Sequence, residues 1–218
     1  MSPVNEKNIQ TDELIHRLSR QAGTKEHITM PFDRALMASL VLSLATAILV
    51  VIGLSRVRPD LYQMLTAWVF QFKVATMALL ACGGIVLVRA CGIPGQSVRL
   101  TQALLPGAVL LLAGVLFDDT GYPLLGENQF SVPFCVGIIV AASLPGLMAI
   151  LAGLRHGIPT RPVYAGALSG VLSGSLAALV YTIACLNDGP SFVAVWYVVA
   201  ISITAAIGAI AGRYILAW

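Results

Sequence analysis

Two of the four cysteines in this sequence, Cys135 and Cys185, are the residues best placed to do chemistry. Thiols form disulfides, react with oxidants and bind soft metal ions as thiolates. Cys135 lies near the start of one apolar segment and Cys185 at the end of the next, with the short polar turn 155–162 between them. If both segments cross a membrane, the two thiols return to the same face. The alternative is that each is a small buried apolar residue, the commonest state of a free cysteine.

Polar and aromatic residues near the membrane face of the two thiols are further candidates for a functional site. Four acidic residues could add oxygen ligands for a cation: Asp118, Asp119, Glu127 and Asp188. Their ordinary interpretation is that of solvated loop charges. Lys73 lies inside an apolar segment, and we expect its long stem to carry the ammonium to the outer interface. Trp68, Trp196 and Tyr197, near outer segment ends, are typical of the aromatic belt of membrane proteins.

Motifs that mark enzymes are absent from the sequence. It has no phosphate-binding loop, no Ser/His/Asp set and no pair of carboxylates inside an apolar segment. None of its three histidines lies well inside such a segment, which argues against a haem-type pair. Cys82 and Cys91 belong to no motif. We therefore predict a protein that is not an enzyme and that needs no cofactor.

The composition identifies the class of protein that must position the thiols. Of 218 residues, 58% are hydrophobic and only 11% are charged, and the mean hydropathy is +0.87. Soluble domains are about half apolar and about a quarter charged. The chain is therefore predicted to be an integral membrane protein. Its first thirty-odd residues are polar, so the first apolar segment is predicted to be a retained anchor rather than a cleaved signal peptide.

Six apolar segments approach the roughly 20 residues that span a bilayer. They cover residues 35–54, 67–88, 100–117, 132–154, 163–184 and 192–216, and the third is the shortest. The predicted fold is an all-α bundle of six transmembrane helices over residues 35–218. Residues 1–34 form a short cytoplasmic arm in front of it.

Basic residues set the orientation, because cytoplasmic loops of membrane proteins carry an excess of Lys and Arg. The side of the N-terminus holds Lys7, Arg17, Arg20, Lys25, Arg34, Arg89, Arg99, Arg155, Arg161 and Arg213. The opposite side holds only Arg56 and Arg58. Both termini are therefore predicted to be cytoplasmic. Cys135 and Cys185 then lie on the opposite side, which in a bacterial cell is the periplasm, where disulfides persist.

The arm contains an apolar stripe formed by Leu14, Ile15 and Leu18. Their spacing predicts that they share one face of a short helix. Such a helix is marginal alone in water and needs a surface to pack on. One interpretation is an interfacial helix or a disordered tail, and the other is a segment that folds on a protein partner.

Small residues are regularly spaced in segment 163–184. Gly166, Gly170 and Gly174 recur every four residues, beside a parallel row of alanine and serine. Small residues let helix backbones approach closely, and van der Waals packing is a main source of helix association in lipid. We therefore predict that this helix is the packed centre of the bundle, in contact with the helices before and after it.

Taken in order, several short motifs make the chain resemble the NrsF family. They are the Leu144-Pro145 pair, the turn 155–162, the small-residue helix after it, the run 190–197, and two N-terminal motifs at 11–15 and 58–61. The resemblance covers nearly the whole chain and is strongest after Cys135. Members of this family are bacterial inner-membrane proteins with six helices that act as anti-sigma factors for extracytoplasmic-function sigma factors of the SigF type.

The resemblance implies a mechanism. A short cytoplasmic segment holds the sigma factor, which makes Leu14, Ile15 and Leu18 candidate contacts, with no direct contact to nucleic acid. Two periplasmic cysteines, which correspond to Cys135 and Cys185, sense heavy-metal ions or oxidants and cause release. The family often has His-Cys where this sequence has Ala184-Cys185, so a histidine ligand is missing at that position.

Two other functions compete with this interpretation. A small membrane transporter or channel would need a polar path, for which the helices offer Lys73 and scattered serines and threonines. A quinone-coupled membrane thiol oxidoreductase usually has two reactive cysteine pairs, and only one pair is predicted here.

Overall fold

The computed structural model describes residues 13, 15, 16, 31–55, 57–93, 95, 99–118, 121, 123–126 and 131–217. Within these residues the chain forms helices and no strands. The helices are α1 (Phe32–Leu54), α2 (Leu61–Met64), α3 (Trp68–Gly92), α4 (Leu100–Leu116), α5 (Ser131–Leu154), α6 (Pro162–Tyr181) and α7 (Pro190–Ile215). The predicted all-α class is confirmed for the part of the chain that the structure describes.

Five helices, α1, α3, α5, α6 and α7, are long and apolar enough to cross a membrane. Helix α4 is also apolar but has 17 residues and is shorter than these. Five helices of this length and composition support the predicted membrane character of the chain, while the sixth span remains a prediction. Proline stands at the start of α6 and of α7, where its missing N–H is not needed for helix hydrogen bonding.

The chain divides into two compact units, Met1–Met30 and Pro31–Trp218. Helix α1 begins at Phe32, so residues 32–34, which the sequence places in the arm, belong to the first long helix. In the first unit Ile15 is helical and 57% exposed. Leu14 and Leu18, the other two members of the predicted stripe, lie outside the described residues.

Helix α6 is the most buried of the five long helices. It packs on α5 and α7, as its small residues predict, and also on α1 and α3. The contact with α7 is close: a Cβ added to Gly166 would lie 2.2 Å from the carbonyl oxygen of Gly208. At Gly170 it would lie 2.4 Å from the carbonyl oxygen of Thr204, whereas at Gly174 the nearest atom is 3.2 Å away. The two backbones therefore approach most closely at Gly166 and Gly170.

Replacing Gly170 by alanine should destabilise the bundle by about 1–3 kcal/mol, because the added methyl group overpacks the α6–α7 contact. This loss should exceed the roughly 1 kcal/mol by which alanine favours a helix over glycine. Thermal unfolding of the purified protein in detergent measures the difference. Gly137→Ala in α5 is the matched control, since a Cβ there meets nothing within 4 Å. Equal unfolding temperatures for the two variants would contradict the close packing.

Candidate functional site

Cys135 and Cys185 lie side by side in a buried site at one end of the bundle. Cys135 is in the second turn of α5 and Cys185 is in the turn that follows α6, and their side chains are 0% and 1% exposed. Both are free thiols within hydrogen-bonding range of each other. The structure therefore brings together the two cysteines that the sequence singles out.

The backbone after α6 explains the position of Cys185. The N–H groups of Ala184 and Cys185 both donate to the carbonyl oxygen of Tyr181, at 3.0 Å each. These bonds fold the chain back over the end of α6. The Cys185 thiol then donates to the carbonyl oxygen of Asn187 at 3.7 Å.

Two tyrosine side chains line this site. The rings of Tyr181, on α6, and Tyr197, on α7, lie 6.2 Å apart between centroids. Tyr197 is 0% exposed, so it is part of the core and not of the aromatic belt to which the sequence assigned it. Trp68, by contrast, is exposed, as a belt residue should be. The Tyr197 hydroxyl faces the Cys185 sulfur, yet it has no hydrogen-bond partner of ordinary geometry among the described residues.

A buried ionic network adjoins the thiols. Lys73, on α3, is 0% exposed, and its ammonium donates to Asp188 Oδ1 at 2.7 Å. Arg58 donates to both carboxylate oxygens of Asp188, at 3.0 and 2.9 Å, and to both oxygens of Asp60, at 2.8 and 2.9 Å. Two predictions are thus wrong: Lys73 does not reach the lipid interface, and Asp188 is not a solvated loop charge. The physical reason is that an ion buried this deeply must be paired with an opposite charge.

The same network fixes the backbone that carries Cys185. Arg58 donates a side-chain N–H to the carbonyl oxygen of Cys185 at 3.2 Å, and its backbone N–H to that of Ile183 at 3.1 Å. The Lys73 ammonium also donates to the carbonyl oxygen of Asn187. Arg58 and Lys73, from the first half of the chain, therefore bind four residues of the turn 183–188: Ile183, Cys185, Asn187 and Asp188.

Arg58, Lys73 and Cys135 shift the pKa values of the acidic groups in and beside this turn. Burial by itself would raise the pKa of Asp188, but hydrogen bonds from Arg58 and the nearby Lys73 charge lower it below its usual value. The hydrogen bond from Arg58 lowers the pKa of Asp60 as well. The pKa of the Cys185 thiol is also lowered, first by its hydrogen bond with Cys135 and then, against burial, by the Lys73 charge. A lowered pKa favours the thiolate, which is the reactive form of cysteine.

The remaining candidates lie elsewhere or outside the described residues. Asp118 accepts the backbone N–H of Ser191 at 3.0 Å, near the start of α7. Asp119 and Glu127 lie outside the described residues. Among those that are described, no group of three or more His, Cys, Asp or Glu residues could hold a metal ion. Cys82 and Cys91 are on α3, the first exposed and the second half-buried.

The two thiols stand out in the sequence, but most of the residues that surround them do not. In the sequence, Arg58 stands out as an outward charge and as part of the motif 58–61, whereas nothing marks Tyr181. One signal for the ion pair was present, because Lys73 and Asp188 lie close to the same predicted membrane face. An ionisable residue inside a membrane helix is expected to have such a partner.

Comparison with known proteins covers nearly the whole chain. The NrsF family model, described as negative regulator of sigma F, matches residues 21–218. A protein of Caulobacter vibrioides named anti-sigma-F factor NrsF is 32% identical over 218 residues, which span 96% of this chain and 100% of that protein. A protein of Azospira oryzae named probable anti-sigma-F factor NrsF is 31% identical over 217 residues, with the same coverage. No solved structure gives a significant match.

Proposed function

The chain belongs to the NrsF family of negative regulators of sigma F, and on that premise we propose that it is a membrane anti-sigma factor. In this proposal the arm, residues 1–34, holds an extracytoplasmic-function sigma factor at the bacterial inner membrane, with both termini in the cytoplasm. Heavy-metal ions or oxidants that reach Cys135 and Cys185 from the periplasm cause its release. The protein acts on transcription through the sigma factor and does not itself contact nucleic acid.

The observation that carries this proposal is the end-to-end similarity to a protein named anti-sigma-F factor. A similarity confined to the apolar helices would support only a shared membrane fold. This one extends over the full length of the relative, so it includes the polar residues before α1 as well as the helices. The contact between the two buried thiols supports a sensor at the other end of the bundle.

The thiol pair supports two kinds of input chemistry. Hydrogen peroxide would take two electrons and two protons from the two thiols, forming a disulfide while it is reduced to two molecules of water. A soft divalent metal ion would instead bind both sulfurs as thiolates and release two protons. Both reactions would draw the sulfurs of α5 and of the turn after α6 into a new bond or a shared ion, so both would strain the turn 183–188.

Signal transfer requires two arrangements of the bundle, with the modified thiols favouring the one that binds the sigma factor less well. Helix α3 is suited to transfer the signal, because it has contacts at both of its ends. Near its start, Lys73 binds the Cys185 turn. At its last residue, the carbonyl oxygen of Gly92 accepts the N–H of Ile158 at 3.1 Å, and a Cβ at Gly92 would lie 2.1 Å from the ring of Phe32. Phe32 is the first residue of α1, directly after Pro31.

Co-purification from bacterial membranes tests the proposed function. The tagged full-length protein should capture a sigma factor, identified by mass spectrometry, from unstressed cells of its own host. Exposure of the cells to cadmium chloride or to hydrogen peroxide should lower the captured amount. If the wild-type protein captures no sigma factor under any condition, the proposed function is wrong.

The same capture assay tests whether the apolar stripe of the arm contacts the sigma factor. The double variant Leu14→Glu/Leu18→Glu should lose capture, because it places charges on the apolar stripe. Gln10→Glu, which adds a charge at a polar position of the same arm, should retain it. Capture that survives the double substitution would reject the predicted contact while leaving the anti-sigma function intact.

A further inference from the structure

The Tyr197 hydroxyl is an unusual feature of the thiol site. Tyr197 is fully buried, and among the described residues its hydroxyl is the buried side-chain N or O atom that lacks a hydrogen-bond partner. Leaving a buried polar group unsatisfied costs about 1–3 kcal/mol. Phenylalanine would fill the same space without this cost, and most buried polar groups in native structures are satisfied. The hydroxyl therefore needs an explanation that packing does not provide.

The surroundings of the hydroxyl indicate what it would bind. It faces the Cys185 sulfur, and both thiols belong to a buried apolar cluster that also contains Tyr181. A neutral phenol donates one strong hydrogen bond and prefers an oxygen acceptor. A thiol sulfur is a weak acceptor. The site thus holds a donor that would be satisfied by an oxygen atom attached to Cys185.

We propose, building on the thiol input of the proposed function, that Tyr197 stabilises the sulfenic acid of Cys185 by donating a hydrogen bond to its oxygen atom. Tyr197 would then be a specificity-determining residue that favours peroxides over soft metal ions. A metal ion held by two thiolates presents no acceptor oxygen to the hydroxyl. A metal-bound thiolate sulfur accepts a hydrogen bond less strongly than an oxygen atom does, so the same donor assists the oxidant input more than the metal input.

The oxidation proceeds in two balanced steps. The Cys185 sulfur attacks one peroxide oxygen, so that an S–O bond forms, the O–O bond breaks, and the other oxygen leaves as water after taking up the thiol proton. The Cys135 sulfur then attacks the Cys185 sulfur, so that an S–S bond forms and the S–O bond breaks. The sulfenic oxygen leaves as water with the proton of Cys135. Tyr197 donates to that oxygen in the intermediate between the two steps.

The test uses Tyr197→Phe in the full-length protein with Cys82→Ser and Cys91→Ser, so that only the site cysteines react. Hydrogen peroxide is the oxidant, and mass spectrometry follows trapping of the sulfenic acid by dimedone and formation of the disulfide. We expect both rates to fall about tenfold, the equivalent of one hydrogen bond of about 1.4 kcal/mol. Cadmium affinity, measured by calorimetry, should change much less than the oxidation rates. Tyr214→Phe, an exposed tyrosine on the same helix, is the matched control and should change neither.

Measuring protein stability distinguishes the proposed role of Tyr197 in oxidation from a purely structural role. Tyr197→Phe removes an unsatisfied hydroxyl, so its unfolding temperature should equal or exceed that of the parent protein. Slower oxidation in an equally stable protein supports the proposal. Wild-type oxidation rates, or an equal loss of peroxide reactivity and cadmium affinity, would overturn it. These measurements need no sigma factor, so failure to capture one would reject the proposed function without deciding the role of Tyr197.

Discussion

Replacing either Cys135 or Cys185 by serine should make the sigma-dependent genes insensitive to the inducing stress. Serine preserves the size and hydrogen bonding of each side chain, but it neither forms a disulfide nor binds soft metal ions as thiolate does. Because the two thiols are neighbours, a bond or a shared ion requires both of them. Each single substitution is therefore expected to abolish the whole response, and the double variant should add nothing. A reporter gene behind a promoter that the sigma factor reads measures this directly.

Cys82→Ser and Cys91→Ser are the matched controls for this prediction. They make the same atomic change on α3, at one exposed and one half-buried position, and should leave induction intact. Membrane abundance of each variant is measured by immunoblot, so that loss of the protein is not mistaken for loss of sensing. Unchanged induction in both Cys135→Ser and Cys185→Ser would remove the sensing role from this pair.

The return of the two thiols to one end of the bundle was predictable because it depends on few quantities, whereas their contact was not. The lengths of two apolar segments fix the membrane face to which each cysteine returns, and the hairpin between them limits their lateral separation. Likewise, the small residues at Gly166 and Gly170 are visible in the sequence as a row, and a close helix contact follows from their size. Properties that depend on segment length and residue size could therefore be derived without coordinates.

The ionic network and Tyr197 could not be derived in the same way. Whether Lys73 turns inward or outward depends on the rotation of α3 about its axis, and hydropathy alone does not set this rotation because nearly every residue of the helix is apolar. The same ambiguity made Tyr197 resemble an interfacial aromatic residue. Charge pairing between distant segments also depends on helix order in the bundle, which a single sequence leaves open. The surroundings of the site were therefore less predictable than its two cysteines.

Replacing Lys73 by methionine should destabilise the protein by up to about 3–5 kcal/mol, because the buried Asp188 carboxylate loses one of its two cationic partners and keeps only Arg58, which it shares with Asp60. In the wild-type site two basic groups, Lys73 and Arg58, balance two acidic groups, Asp188 and Asp60. Lys73→Met leaves one buried negative charge in excess. The exposed pair between Arg89 and Asp33 is the matched control, since Arg89→Met should change stability by less than about 1 kcal/mol. Denaturant unfolding in mixed micelles measures these differences.

The double variant Lys73→Met/Asp188→Leu decides whether charge balance is the cause. It removes one charge of each sign and leaves Arg58 paired with Asp60 at 2.8 Å. Replacing a buried ion pair by apolar residues of similar volume is often neutral or stabilising, so most of the lost stability should return. The turn would still have lost its bonds from Lys73 and Asp188, and disulfide formation between Cys135 and Cys185 should then no longer follow wild-type kinetics. If the double variant is as unstable as Lys73→Met, the network contributes through packing rather than through charge. If its thiols react at the wild-type rate, the network does not position Cys185.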